Sequence, residues 1–542
     1  DSGFLLSGSC PAAMANIYED LKPLIDHGKK SFDFILSKDI PARAEAMDGH
    51  CTFVADWVKE DLPLENKEGN AMDALAREMI ASSCYETPPE MKKEQEPKKE
   101  DILVFADKAG LCQRILDKAP EGRVGNKKIV TKSPRLLSAA TRFTGRLACE
   151  YLASRSQAGL RWAMAGRSME RLEEFRKELP ESAQAVELML VDVRNEEQLR
   201  NMAKTAKVVA NYAGTPFSDK ALPVVAACVD ASCCYVDVTG EVPFMKTSIL
   251  RYDAKAKETG ALVVHACGFD SIPSDLGVML AARAMRQRHG VGCERICTFA
   301  LKSKGGVSGG TINSALDMLT RGSDLENADS MQLPYGLDPP DGRGGRDKGD
   351  FGKVNVLPAY DEDGEVWAIP FVMAPVNTRV VRRSNALAGY AYGESLSYGE
   401  VMVVPGPLAG FWAVTGMALG LAALVFPPSR WALCRWALPS PGEGPSRDMQ
   451  NTGYFRNKTV AVGERKSDEP APKVVVYVES GDGGDPGYKC TARMSIEAAL
   501  CCALDRDRCH RPGGVVTPAF GLGHVLVDRL NAAGMKLYVE EP

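Results

Sequence analysis

Paired C-x-x-C cysteines, a charged-then-apolar leader and an excess of basic residues are all missing from this chain of 542 residues, whose formal net charge is -5. With no basic field and no zinc-finger or RNA-binding signature, nucleic acid is not an expected partner. The sixteen cysteines are scattered, so they read as free thiols of a reducing compartment rather than as a disulfide scaffold. Cys501, Cys502, Cys509 and His510 bring soft ligands together, but without a two-residue knuckle they read as helix thiols followed by a turn, and no metal is expected. The glycines of 305–310 are not followed by the lysine-threonine pair of a P-loop, which leaves a turn before a helix Thr311 to Leu319. The chain starts at Asp1 rather than methionine, and that start leaves import into an organelle open.

What is present is organised around residues 136–150. They read as a short strand, a tight turn and the start of a helix, the arrangement that seats a pyrophosphate on the free N–H groups of a helix N-terminus. In a G-x-x-G-x-x-G spacing the three glycine positions are Ala139, Arg142 and Gly145. Alanine is a mild change, whereas arginine places a long side chain where phosphates need bare backbone. Candidate cofactor contacts in this turn are Ala139, Thr141, Arg142, Phe143, Thr144 and Gly145.

Downstream, strands and helices alternate: strands at 161–165, 186–191, 208–211, 234–237 and 262–266, with helices between them. That alternation predicts a doubly wound parallel sheet whose ligand lies at the strands' carboxyl ends. After the second strand comes Ala165-Gly166-Arg167-Ser168. An NAD site would place an acid there for the ribose hydroxyls, whereas Arg167 and Ser168 suit a 2′-phosphate, so the expected cofactor is NADP. After the fourth strand, Asn211 and Gly214 belong to a small-residue loop that either faces the nicotinamide or simply turns the chain. His265 reads as a satisfied core residue. No histidine, tyrosine-lysine pair or acid pair identifies a proton donor by its spacing, and the catalytic residues stay unassigned.

The chain is too long for one core. The expected organisation is α/β throughout. A helical extension occupies 1–87, and a charged linker with a strand-helix segment occupies 88–130, where 101–118 could supply the first Rossmann unit instead. A Rossmann dinucleotide-binding-like domain follows at 131–285, the first part of a second α/β domain at 286–403, a hydrophobic segment at 404–440, and the rest of the second domain at 441–542. Strands are expected at Val366 to Val372 and Val376 to Val381. Arg382 and Arg383 would bind an anion or pair with acids, and a final helix Leu522 to Ala533 would precede a strand Met535 to Val539, the closing segment Val515 to Glu541 either completing the second domain or returning to the first.

The match of particular motifs is closer than pattern alone. FTGRLACEYL (143–152), WAMAGRS (162–168), YVDVTGE (235–241), ACGFDSIPSDLG (266–277), SGGTINSAL (308–316), VVRRSNAL (380–387), GEGPS (442–446), DPGY (485–488), GGVVTPAF (513–520) and DRLNAAG (528–534) resemble the saccharopine dehydrogenase-like oxidoreductases over residues 131–542. The family's opening G-A-T-G-F-T-G stands here as Ala139-Ala140-Thr141-Arg142-Phe143-Thr144-Gly145, so the departure falls on the phosphate loop. The resemblance implies a Rossmann domain, a second domain for substrate or dimerisation, nicotinamide-dependent reduction of an unspecified substrate, and frequent attachment to membranes or lipid droplets. By resemblance alone, Asp270, Ser271 and Asp275 are candidates for proton transfer.

Leu408 to Phe426 holds nineteen residues without a charge, about 28 Å as a helix and near the thickness of a bilayer's hydrocarbon core. Pro427 and Pro428 should stop it, and Arg430, Trp431, Arg435 and Trp436 suit a headgroup interface. A membrane or membrane-protein complex is therefore the partner expected through Leu408 to Trp436, with a spanning helix, a hairpin dipping into one leaflet and an ordinary buried helix all left open, and the N-terminal extension is a candidate for docking a further protein. Two readings result. The favoured one is a non-catalytic accessory subunit of an organellar membrane complex, in a plastid or mitochondrion, with the cofactor site degenerate. The alternative is an NADPH-dependent oxidoreductase acting on a lipidic or apolar substrate at a membrane, lipid droplets and other cytoplasmic surfaces included.

Overall fold

The computed structural model describes residues 135–139, 143–155, 160–213, 216–306, 325–339, 357–436, 444–465, 469–510 and 512–541. The expected helical extension, the linker with its strand-helix segment, the helix at 311–319, Thr141, Arg142 and Gly214 lie outside these residues.

The first sheet is built by strand-helix alternation. In chain order it comprises β1 (Arg135–Ala139), α1 (Phe143–Ser154), β2 (Arg161–Gly166), α2 (Met169–Glu178), β3 (Glu187–Leu190), α3 (Glu196–Thr205) and β4 (Val208–Asn211). The short α4 (Phe217–Lys220), α5 (Leu222–Asp230), β5 (Cys234–Asp237), α6 (Val242–Thr259) and β6 (Leu262–Val264) follow. β4, β5 and β6 are buried along their whole length, as strands covered by helices on both faces must be. Ser168 and Asn195 cap α2 and α3, accepting from the backbone N–H of Arg171 and Gln198, which fixes where each helix leaves the sheet.

α7 (Ile272–His289) then carries the chain to a second sheet through β7 (Cys293–Lys304), β8 (Ala359–Asp361), β9 (Val366–Pro370), α8 (Ala374–Leu387) and β10 (Ser397–Val404). α9 (Pro407–Val425), α10 (Pro427–Trp436) and α11 (Arg447–Thr452) come next, then β11 (Tyr454–Gly463), β12 (Lys473–Glu479) and α12 (Thr491–Leu504). The chain closes with β13 (Gly514–Val516), α13 (Pro518–Gly521), α14 (Gly523–Ala532) and β14 (Lys536–Val539).

The first sheet has the order β13-β6-β5-β4-β1-β2-β3, and its described pairings are all parallel. The second has the order β14-β12-β11-β7-β10-β9-β8, with β7 and β10 parallel and the other pairings antiparallel. One apolar core runs from Leu147 of α1 and Val236 of the first sheet through Leu276 and Met285 of α7 to Val476 and Val478 of the second sheet. At Gly277 an added Cβ would stand 3.0 Å from the Thr459 hydroxyl, so this glycine lets α7 approach β11 closely.

One expectation from the sequence is corrected. Val376 to Val381 lie in helix α8 rather than in a strand: Pro375 opens the helix, and the buried polar side chains Asn377, Ser384 and Asn385 find tertiary partners, which outweighs the strand preference of the valines. Pro427 and Pro428 end α9 as expected, with Phe426 before them in extended backbone, and they then start a second helix, α10, where their missing N–H groups cost nothing. The C-terminal segment is shared between the sheets. β13 pairs with β6 at the edge of the first sheet, and Gly513 makes that return feasible, since with φ of 155° an added Cβ would meet the Ala256 carbonyl oxygen at 2.6 Å.

Candidate functional site

β1 is hydrogen-bonded to β2 on one side and β4 on the other, so the strand order reverses at β1 and a crevice opens above the carboxyl ends of these three strands. Ala139 ends β1, and α1 begins at Phe143. Gly145 is buried in its first turn. The Phe143 ring packs edge-on against Tyr488 with centroids 5.2 Å apart, which makes it a packing residue that holds the helix start, and Thr144 is half-buried beside it.

At the end of β2 the Arg167 side chain is exposed. It lines an open groove of about 510 Å³ together with Leu190, Asp192, Arg194, Asn195 and Gln198. Ser168 stands next to it, but its hydroxyl is engaged as the cap of α2. Asp192 accepts from Nε and Nη2 of Arg194, at 3.2 and 2.8 Å, and from the Arg194 N–H at 3.0 Å. Those bonds hold its carboxyl down at about 2, so it is ionised in the groove. Two guanidinium groups and one carboxylate thus leave a net positive groove whose apolar floor includes Leu190. The sequence reading missed Asp192 and Arg194, although their position directly after β3 was a usable signal.

On the other side of β1, Asn211 is buried. Its amide nitrogen donates to the Tyr235 hydroxyl at 2.9 Å and its oxygen accepts from the Ala213 N–H at 2.9 Å. Asn211 therefore shapes the loop from within. Tyr212 ties the same loop to α12 through a 2.6 Å bond to Ser495. The Glu241 carboxylate accepts from the N–H groups of Phe217 and Ser218 at 2.8 and 2.9 Å, fixing where the loop rejoins α4.

Asp237, His265 and Ser248 have the connectivity of a hydrolase triad. Nδ1 of His265 lies 2.8 Å from Asp237 Oδ2, and Nε2 lies 2.8 Å from Ser248 Oγ. All three are buried, Ser248 completely, so no substrate reaches the hydroxyl and the group serves the core. Asp237 also accepts the N–H of Ala266, which holds that residue at a φ of 59°, a strained conformation for alanine.

That strained turn leads into Gly268–Ser271. Ser271 donates to Asn377 at 3.0 Å, Asn377 donates to Glu400 at 2.9 Å, and Tyr398 donates to Glu400 at 2.6 Å. Asp275 accepts from Ser384 and from the Ala519 N–H. Burial pushes Asp275 and Glu400 up to about 7. Asp270 differs from both. Half-buried, it has no hydrogen-bond or ion-pair partner among the described residues, and its Oδ2 lies over Gly240, 3.9 Å from where a Cβ would stand. Burial without compensation pushes its carboxyl up to about 6. It is a carboxyl able to hold and release a proton in the loop after β6, beside the loop after β5.

Arg382 and Arg383 are buried and reach backbone carbonyls of neighbouring segments. Arg382 donates to the carbonyls of Pro334 and Tyr398, and Arg383 to those of Leu337 and Val515, both of the latter at 2.6 Å. These bonds stitch α8 to β13, and burial pushes Arg383 down to about 10. Cys501, Cys502 and Cys509 are buried thiols, His510 packs on Phe520 with centroids 4.2 Å apart, and no set of three or more metal-ligating groups occurs among the described residues.

Comparison with known proteins agrees with this geometry. Residues 143–264 match the model of the saccharopine dehydrogenase NADP binding domain. A Mycobacterium tuberculosis protein provisionally named a trans-acting enoyl reductase is 39% identical over 430 residues, 75% of this chain and 98% of the relative. The trans-acting enoyl reductase of Mycobacterium leprae is 35% identical over 411 residues, 74% of this chain and 96% of the relative. Among solved structures, apo saccharopine dehydrogenase (L-Glu forming) from Saccharomyces cerevisiae aligns with a TM-score of 0.42 at 12% identity, over 75% of this chain and 99% of that one.

Proposed function

The chain belongs to the saccharopine dehydrogenase-like family, and from that premise we propose that it is an NADPH-dependent reductase of enoyl groups, carbon-carbon double bonds conjugated to an acyl carbonyl. The observation that carries the cofactor half is the exposed Arg167 in its net positive groove at the end of β2, where an NAD site would need an acid. The substrate half is supported by the relatives named as enoyl reductases, which the chain matches over nearly their whole length. Those names give no support to a catalysis-free accessory subunit, and Arg142, on which that expectation rested, lies outside the described residues.

The residues fit the cofactor. Arg167 and Arg194 would hold the 2′-phosphate, Leu190 would offer the cofactor an apolar contact, and the N-terminus of α1 would hold the pyrophosphate. NADPH bound there supplies the hydride that saturates the β-carbon. Asp270 holds the matching proton, which it delivers to the α-carbon and regains from solvent. Glu241 and Tyr212 keep the loop after β4 in place.

Titration of the full chain with NADPH and NADH tests the cofactor half. NADPH should bind in the micromolar range, and Arg167→Glu should weaken it roughly 10- to 100-fold, the loss of a charge-assisted bond of about 1.5–3 kcal/mol. NADH binding should change little. Equal weakening of both nucleotides, or binding of neither, contradicts the assignment.

A further inference from the structure

α9 is apolar around its whole circumference, and the protein covers almost none of it. Its mean hydropathy is 1.9, and Gly410 is its one buried residue. Leu408, Phe411, Trp412, Met417 and Leu421 are all exposed, Leu408 by 71% and Trp412 by 65%. At 3.6 residues per turn these five point to opposite sides of the helix. A partner protein would cover one stripe and leave polar residues on the other face. A helix apolar on every side is solvated by hydrocarbon.

The sheet topology decides how it enters. β10, before α9, and β11, after α10, both pair with β7 in the second sheet, so the chain leaves and returns on one side. By Gly444 it is back on the body of the protein, packed against Phe143. A spanning α9 would strand α10 at the far face and force a recrossing. α10 is ten residues, about 15 Å and half the hydrocarbon thickness, and its sequence carries Arg430 and Arg435, each costly in hydrocarbon. Both ends of α9 are therefore held at an interface: the first turn by Gly410 packed on Pro358 and Ile369, the last by Arg430 and the exposed Trp431 one turn beyond it.

We propose that α9 lies within a single leaflet of a lipid bilayer or monolayer, along its surface, with α10 at the headgroup level, so that the protein sits on the membrane without crossing it. The anchor is joined through β9 to the neighbourhood of Asp270. Ile369, against which Gly410 packs, belongs to β9, and the turn after β9 brings the Met373 methyl to within 4.0 Å of a Cβ position on Gly240, beside Asp270. If the reductase reading holds, the membrane anchor and the proton donor are linked through β9 and the turn after it.

The test is flotation of the full chain with phosphatidylcholine vesicles, with and without phosphatidylserine, followed by tryptophan quenching with lipids brominated at graded depths. The wild type should float, and a Leu408→Asp/Leu419→Asp variant should lose about tenfold or more in bound fraction while keeping its circular dichroism and its NADPH affinity. Quenching lost in Trp412→Phe and in Trp431→Phe should report one shallow depth in the outer leaflet. Failure of the folded wild type to float overturns the proposal, as does quenching of Trp431 from the inner leaflet, or a stable self-association through α9 that excludes lipid. NADPH binding is read separately, so failure of the anchor and failure of the reductase assignment give different results.

Discussion

Two helices of nearly equal length, α7 and α9, are partnered in the opposite sense to their composition. α7 carries Asp275, Arg283, Arg286, Arg288 and His289 yet runs between the two sheets, with Leu276, Val278 and Asp275 completely buried. α9 carries no charge and is exposed nearly throughout. What separates them is the supply of partners. Ser384 and the Ala519 N–H satisfy Asp275, and Arg286 and Arg288 reach backbone carbonyls of Ala391 and Glu540. α9 buries one residue, Gly410 of its first turn, against Pro358 and Ile369. Burial follows satisfied neighbours rather than hydropathy.

The contrast can be broken from the α7 side most strongly. Leu276→Ala should cost about 2–5 kcal/mol in urea unfolding, because the cavity opens in a core shared by both sheets. Next comes Asp275, whose folded carboxyl is pushed up to about 7 by burial from an unfolded value near 4. It binds its proton more tightly when folded, so its contribution to stability is fully present below about pH 4 and is lost as pH rises through about 7. The stability gap between the parent and Asp275→Asn should narrow by a few kcal/mol across that window, and a pH-independent gap would refute the assignment.

Asp270 sharpens the same comparison from the loop before α7. With its carboxyl at about 6, turnover should decline as pH rises through 6, and Asp270→Asn should lower kcat by about 100-fold or more while leaving NADPH affinity unchanged. A pH profile that keeps its shape in the variant would remove Asp270 from the chemistry. The smallest effect is expected in α9 itself. Leu419→Ala should shift stability in solution by no more than about 0.5 kcal/mol, in contrast to the chemically identical change at Leu276.

Much of the first sheet was legible because covered parallel strands and amphipathic helices write their periods into the sequence. β2, α2, β4 and β5 fall where the alternation put them, and Arg167 stands at the strand end where the phosphate argument placed it. Other features depend on contacts remote in the chain. β13 is three residues long and is held by Arg383 and by the Asp253 carboxylate, so no local pattern announces it. α8 reads as a strand until its polar side chains find Ser271, Thr517 and Gly393. Asn211 was visible as a strand-end residue, but its amide turns inward to Tyr235. Asp270 stands out through the absence of partners among the described residues, which only the fold reveals.

Hydride transfer itself tests the central claim most directly. The full chain is incubated with NADPH deuterated at the transferable position and an enoyl thioester, and the recovered acyl group is weighed by mass spectrometry. The account predicts one deuterium at the β-carbon and one solvent proton at the α-carbon, with turnover reduced in both Arg167→Glu and Asp270→Asn. An unreduced substrate in the presence of bound NADPH would contradict the enoyl assignment, and a product whose β-hydrogen comes from solvent would contradict the role given to the cofactor.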